Sequence, residues 1–227
     1  MSSPESTRRR PRASLSREAV VDAAVVVLDA AGLEGLTMRA VAMRLDAGAM
    51  SLYRHVSGRD ELLDLVVARL TSDLHGRPAT GDWRADLGDL ARDVRAMLLR
   101  RPNLTLLMTS RAGAGAGGLA TLDHVMGILR GAGFGPRDAA FANHALGNFV
   151  AGAALWEAVG LDGASGDERG ERAAAAARDM ASLSAGAWPN LAWAAGSLFA
   201  GTADDRFEFG LAVLLDGLAV RLAPPPD

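Results

Sequence analysis

The sequence predicts an all-α protein, and three observations carry that prediction. Apolar residues make up 49% of the chain but aromatics only 5%. The core must then be built from Ala, Leu and Val, the palette of close-packed helices rather than of β-sandwiches. Apolar positions recur at three- and four-residue spacing along most of the chain, and no strand-like alternation competes with them. The repeats break at residues that stop helices: Gly32, Pro102, Gly131-Ala132-Gly133 and Pro224-Pro225-Pro226.

The elements follow in order. Residues 1–14 are rich in Ser, Pro and Arg and are expected to form a disordered basic arm. Ser16 is a good N-cap for a first helix carrying Val20, Ala23, Ala24, Val27 and Ala31, which Gly32 should end. Thr37 caps a short second helix with Val41, Ala42 and Leu45. Asp46-Ala47-Gly48 makes a tight break, and a third short helix spans roughly Ala49 to His55. Ser57-Gly58-Arg59-Asp60 resembles a capping box, with Glu61 adding negative charge to the first turn of a longer helix through Leu62, Leu63, Val66, Val67 and Leu70.

A turn at Gly76 to Asp82 separates this helix from one carrying Leu87, Leu90, Val94, Met97 and Leu98. Leu104 to Met108 is a short apolar segment, and Ala112 to Gly118 reads as a loop or a weak helix. Leu119, Leu122, Val125, Met126 and Leu129 mark the next helix. Gly135-Pro136 opens a long one through Phe141, Leu146, Phe149, Val150 and Leu155. Leu161 to Gly170 is a polar, Gly-rich loop. Two further helical stretches carry Met180, Leu183, Trp188, Trp193 and Leu198. Asp204-Asp205 opens a last helix with Phe207, Leu211, Leu214, Leu215 and Leu218.

Charge is distributed unevenly. All 24 basic residues are arginine, a bias that fits a GC-rich genome before it fits a function. Residues 1–60 hold nine Arg against seven acids, whereas residues 61–227 hold fifteen against twenty. The first seventeen residues alone hold five Arg against Glu5. A basic end on an acidic protein suits contact with a polyanion, and a solvated tail explains it equally well.

Other function classes find little support. The chain has no cysteine, which excludes disulfides and thiolate metal sites and suits a cytoplasmic location. No uninterrupted apolar run of membrane-spanning length occurs, so no membrane partner is expected. There is no Walker-type loop, HExxH or G-x-S-x-G, and His55, His75, His124 and His144 lack metal-ligand spacing. The expectation is no enzyme, no cofactor and no metal.

The informative stretch is Leu36 to Asp60, LTMRAVAMRLDAGAMSLYRHVSGRD. Two short helices joined by a tight break form a helix-turn-helix, whose second helix enters the DNA major groove. With Leu52 and Val56 inward, Ser51, Tyr53, Arg54 and His55 project outward, and such side chains bond phosphates and base edges. Arg54 suits a bidentate contact to guanine. Arg39 on the second helix points toward the same groove, and Arg59 would hold phosphate.

These residues resemble the N-terminal domain of TetR-family (tetracycline-repressor-type) regulators. The resemblance lies in Leu36-Thr37, Arg39 to Ala42, Leu45, Ser51 to Val56 and Asp60 to Leu63. It continues at lower density through LRGAGF (Leu129 to Phe134), GNFVAG (Gly147 to Gly152) and FEFGLAVLLDG (Phe207 to Gly217). The resemblance implies an all-α homodimer whose larger domain binds a small molecule and thereby changes the spacing of two DNA-reading heads. The domains expected are the arm 1–14, a DNA-binding domain 15–62, and a ligand-binding and dimerisation domain 63–227. The helices around 136–160 and 204–222 of two subunits would form a four-helix bundle.

Three departures matter. The usual Gly-Val of the turn is Asp46-Ala47 here, and Asp tolerates a left-handed backbone. Ala49 and Met50 replace residues that in the family often read bases, so the operator cannot be copied from relatives. Tetracycline-responsive members use a histidine and a second-subunit acid around a magnesium–drug chelate. The nearest positions here are Ser110 or Arg111, and Trp156 with Glu157; no histidine fits, so no metal is assigned. The candidate effector-binding residues are Met97, Leu107, Met108, Met126, His144, Asn148, Trp156 and Trp188. Each has an alternative reading as plain core, and His144 with Asn148 as satisfied polar groups. The reading is therefore a ligand-responsive DNA-binding regulator, most simply a homodimeric repressor released from a palindromic double-stranded operator by a largely apolar effector. The alternative is a small-molecule-sequestering protein with only weak DNA binding.

Overall fold

A computed structural model describes residues 15–76, 78–101, 107–108, 115–159, 171, 174–176, 178–180, 182, 186–198 and 200–222. The expected arm 1–14, the loop 161–170 and parts of the first of the two later helical stretches, Leu183 among them, lie outside the described residues. Among those described there is no strand.

The chain opens with a compact head. Helix α1 (Arg17–Gly35) begins where the Ser16 hydroxyl accepts the Ala19 N–H at 3.1 Å. Helix α2 (Met38–Arg44) begins where Thr37 Oγ1 accepts the Ala40 N–H at 3.1 Å. Each cap satisfies an amide that the first helical turn leaves without an internal partner. Gly32 takes a φ of 68° but does not end α1. The Leu36 N–H returns to the Gly32 carbonyl at 3.2 Å, so the expected stop is a kink followed by one more turn.

Helix α3 (Ala49–Leu52) is shorter than the periodicity predicts. Tyr53 to His55 continue as a turn, with the His55 and Val56 amides both bonded to the Leu52 carbonyl. Helix α4 (Arg59–Thr71) starts at Gly58, which offers no side-chain cap. The Glu61 carboxylate reaches back instead and accepts the Ser57 N–H at 2.6 Å. Leu28, Leu36, Val41, Leu52, Val56 and Leu62 are buried together beneath α1 to α4.

A 3-10 turn (Ser72–Leu74) leads to the body: α5 (Trp83–Arg100), α6 (Gly115–Gly131), α7 (Pro136–Val159), α8 (Pro189–Leu198) and α9 (Ala203–Leu222). Helix α5 packs on α7, α7 on α9, and α6 on α4, α5 and α7. Where a loop or weak helix was expected at 112–118, the described part from Gly115 is regular helix. Packing supplies the reason: a Cβ on Gly117 would lie 2.2 Å from the Ala68 Cα, so α6 crosses α4 nearly backbone to backbone. Weak intrinsic helix propensity is overridden by that contact.

Helix α6 ends as the glycines predict. Gly133 has a φ of 99°, its N–H bonds the Arg130 carbonyl, and the Phe134 N–H bonds the Leu129 carbonyl, both at 3.0 Å. This is a Schellman stop, and Phe134 is buried beyond it with its ring edge-on to Trp83 at 5.5 Å. Helix α4 touches both α1 and α6, so it belongs mechanically to the head and to the body.

Candidate nucleic-acid interface

The turn between α2 and α3 has the geometry its function needs. The Asp46 N–H bonds the Met43 carbonyl at 3.2 Å and the Ala47 N–H bonds the Ala42 carbonyl at 3.0 Å. Asp46 takes a φ of 50°, the only non-glycine with positive φ among the described residues. The α2 stop is thus a Schellman motif with aspartate in the left-handed position. It turns the chain sharply enough for α3 to leave across α2.

The two faces of α3 then separate. Leu52 and Val56 are buried. Met50 is 80% exposed, Tyr53 and Arg54 are exposed, and Ala49, Ser51 and His55 are half-buried. Arg39 is exposed on α2. Among the described residues the Arg39 and Arg54 side chains have no hydrogen bond or ion pair. That leaves two guanidinium groups uncommitted beside the reading helix. Ser51 differs, because its hydroxyl donates to the Gly48 carbonyl at 2.5 Å.

Arg59 is placed otherwise than its expected phosphate role implies. Its Nε donates to the Leu36 carbonyl at 3.0 Å and a terminal nitrogen to the Leu33 carbonyl at 2.8 Å. These carbonyls lie at and beyond the end of α1, so Arg59 ties α4 to the α1–α2 junction. Nothing in the sequence marks this, because the partners are backbone atoms more than twenty residues away. Arg17 pairs with Glu61 across the same corner. The Ser57 amide bond, and then the Arg17 charge, hold the Glu61 carboxyl below its ordinary value.

The candidate effector residues fall into two groups. Met97 and Leu107 are buried, and Met108 and Met126 pack partly buried against the same core. His144, Asn148, Trp156 and Trp188 are exposed. The four-residue spacing of His144 and Asn148 specifies one face of α7 without saying which. The inward face is occupied by Ala139, Ala142, Leu146, Val150 and Ala154.

Two features of the body escape sequence reasoning. A cleft of about 50 Å³ lies among Leu74, Leu90, Ile128, His124 and the carboxylates Asp73, Asp86, Asp89 and Asp93. It is far smaller than a pocket of several hundred Å³ for a drug-sized ligand. The second feature is Arg95, which bonds Glu157 and Asp204, each at 2.7 Å, while lying 4.6 Å over the Phe207 ring. Burial opposes the Arg95 charge, but the two carboxylates outweigh it and raise its pKa. Glu157, the position nearest a second-subunit acid, is therefore committed to Arg95.

With this geometry in place, the relatives can be read. Residues 20–66 match the family model for bacterial regulatory proteins of the tetR family, and residues 75–222 match the tetracyclin repressor-like C-terminal domain. The chain belongs to the TetR family. It is a DNA-binding transcriptional regulator and not an enzyme. It is 36% identical over 222 residues to the HTH-type transcriptional repressor DrrR1 of Streptomyces coeruleorubidus, covering 95% of this chain and 81% of that one. It is 34% identical to the class C tetracycline repressor of Escherichia coli, covering 90% of this chain and 90% of that one. Among solved structures, the TetR-family protein ActR of Streptomyces coelicolor in complex with actinorhodin aligns at a TM-score of 0.78 with 32% identity, covering 93% of this chain and 100% of that one. As in a TetR-family regulator, the helix-turn-helix stands at the N-terminal end of a larger helical domain. Among the described residues no helix is long and apolar enough to cross a membrane.

Proposed function

We propose that this TetR-family regulator is a homodimeric repressor that leaves a near-palindromic operator when a largely apolar small molecule binds its body. The observation that carries the reading is the head: a left-handed Asp46 turn presenting Met50, Tyr53 and Arg54 on one exposed surface, with Arg39 beside it.

Pairing of two copies is supported by apolar side chains left uncovered on two long helices. On α7, Phe141 and Leu155 are exposed along with His144 and Asn148; on α9, Phe209, Val213 and Val220 are exposed. The α9 positions recur at helical spacing, as in the seam of a bundle. Two copies joined by α7 and α9 form a four-helix bundle. Their reading helices then stand about one DNA turn apart, roughly 34 Å.

Response to a small molecule is supported by relatives: repressors named for tetracycline, and an ActR structure holding actinorhodin. Release follows if the effector binds the DNA-incompetent arrangement more tightly. Helix α4 is the natural lever, because it packs on α1 of the head and is crossed closely by α6 of the body.

The deciding experiment is selection of genomic fragments by the purified protein at physiological salt, followed by sequencing. Enrichment of one palindromic motif is expected, and genes beside it would point to the effector. A folded dimer that enriches no motif would overturn the repressor reading in favour of a sequestering protein.

A further inference from the structure

The leading end of the reading helix is chemically one-sided. Gly48 has no side chain, and a Cβ placed there would meet nothing within 4 Å. Ala49 contributes one methyl group, partly packed on the head core. Met50 follows, 80% exposed, so its thioether covers none of the core. The single hydroxyl proton of Ser51 is spent on the Gly48 carbonyl at 2.5 Å. No side chain from 48 to 51 has a free hydrogen-bond donor. Exposed donors begin only at Tyr53 and Arg54.

Met50, the most exposed side chain of this end, therefore offers a base edge an apolar contact. In the major groove the apolar group on a base edge is the C5-methyl of thymine. Methionine is unbranched and adaptable enough to close over it, and bringing the two together removes both from water. We infer that Met50 reads the C5-methyl group of a thymine in each half-site. This rests on the operator-binding reading above. It assigns the leading end of α3 to a T·A pair and leaves hydrogen-bonded readout to Arg54.

The test uses the full-length protein and the operator recovered by genomic selection. Each thymine of a half-site is replaced in turn by deoxyuridine, which keeps every hydrogen bond and lacks only the methyl group. Fluorescence anisotropy should show one position losing about fourfold in affinity, equivalent to about 0.8 kcal/mol for one buried carbon. The loss should reach about sixteenfold when both half-sites are changed. Met50→Ala should bind thymine and uracil operators equally while keeping its preferences elsewhere, and Met50→Leu should still distinguish them. Discrimination that persists in Met50→Ala, or that is absent from the wild type at every thymine, overturns the inference. A 5-methylcytosine·guanine pair carries the same methyl group; binding tighter than to T·A would overturn the assignment to thymine, and weaker binding supports it. Loss of specific binding to every operator would instead bring down the regulator reading itself.

Discussion

The head and the body of this molecule keep their polar and apolar accounts differently. In the head, α1 and α2 are capped by side chains, the turn is closed by paired backbone bonds, and the uncommitted polar groups lie on one surface. In the body, polar groups are paired across long sequence separations, as Arg95 is with Glu157 and Asp204, while large apolar side chains stand in water on α7, α8 and α9. Trp193 is 89% exposed, and Ala195 is the buried residue of α8. On the proposed reading, exposed residues mean different things in the two regions: Met50, Tyr53 and Arg54 of the head would face DNA, whereas the apolar side chains uncovered on the body would be buried by a second copy.

The sharpest way to break that comparison is to charge the α9 stripe. Phe209→Asp should fold normally, since Phe209 is 73% exposed, yet sediment as a monomer. Losing two-headed binding should weaken operator affinity by about 10²–10⁴-fold. A dimer that survives the substitution would show that α9 is ordinary surface.

Next in size is the joint. Gly117→Ala drives a methyl group into the Ala68 backbone and should cost about 1–3 kcal/mol in chemical denaturation, despite the better helix propensity of alanine. A stabilised variant would mean that α4 and α6 separate easily. Arg54→Ala should then lose about 1–3 kcal/mol of specific binding and relax one base position, with stability unchanged. Unchanged operator affinity would remove Arg54 from the interface.

Arg59→Ala separates two roles of one residue. The two carbonyl bonds predict a loss of about 1 kcal/mol in stability, read by thermal melting. A phosphate role alone predicts uniformly weaker DNA binding, a lower salt slope and no change in melting.

The smallest effect is acidic. Glu61 titrates below its ordinary value in the folded head, so its contribution is present at neutral pH and down to the unfolded value. It is lost as pH falls through the lowered folded value. Comparing Glu61→Gln with wild type across an acid titration should show the difference shrinking in that direction. A difference that grows toward acid would contradict the Ser57 and Arg17 contacts.

Much of the head was legible because its determinants are local. Ser16 and Thr37 accept amides three residues on, Asp46 turns the chain through its own backbone angle, and buried Leu52 and Val56 follow from spacing alone. The overestimated length of α3 has a local reason too, since a pattern of exposed and buried residues looks alike in a short helix and in the turn that continues it. The body was legible as helices but not as a site. Periodicity placed His144 and Asn148 on one face, yet the packing of α5 and α9 chose the opposite face for the core.

By itself, then, the sequence determined the all-α class, the order of the helices, the caps, the left-handed turn and the family, because each rests on chemistry within a few residues. Only the tertiary structure decided that Arg59 serves the α1–α2 junction, that Gly117 lies at a close helix crossing, and that α7 and α9 keep an apolar surface outward. These depend on atoms brought together from distant parts of the chain, and a periodic pattern specifies a face without naming its neighbour.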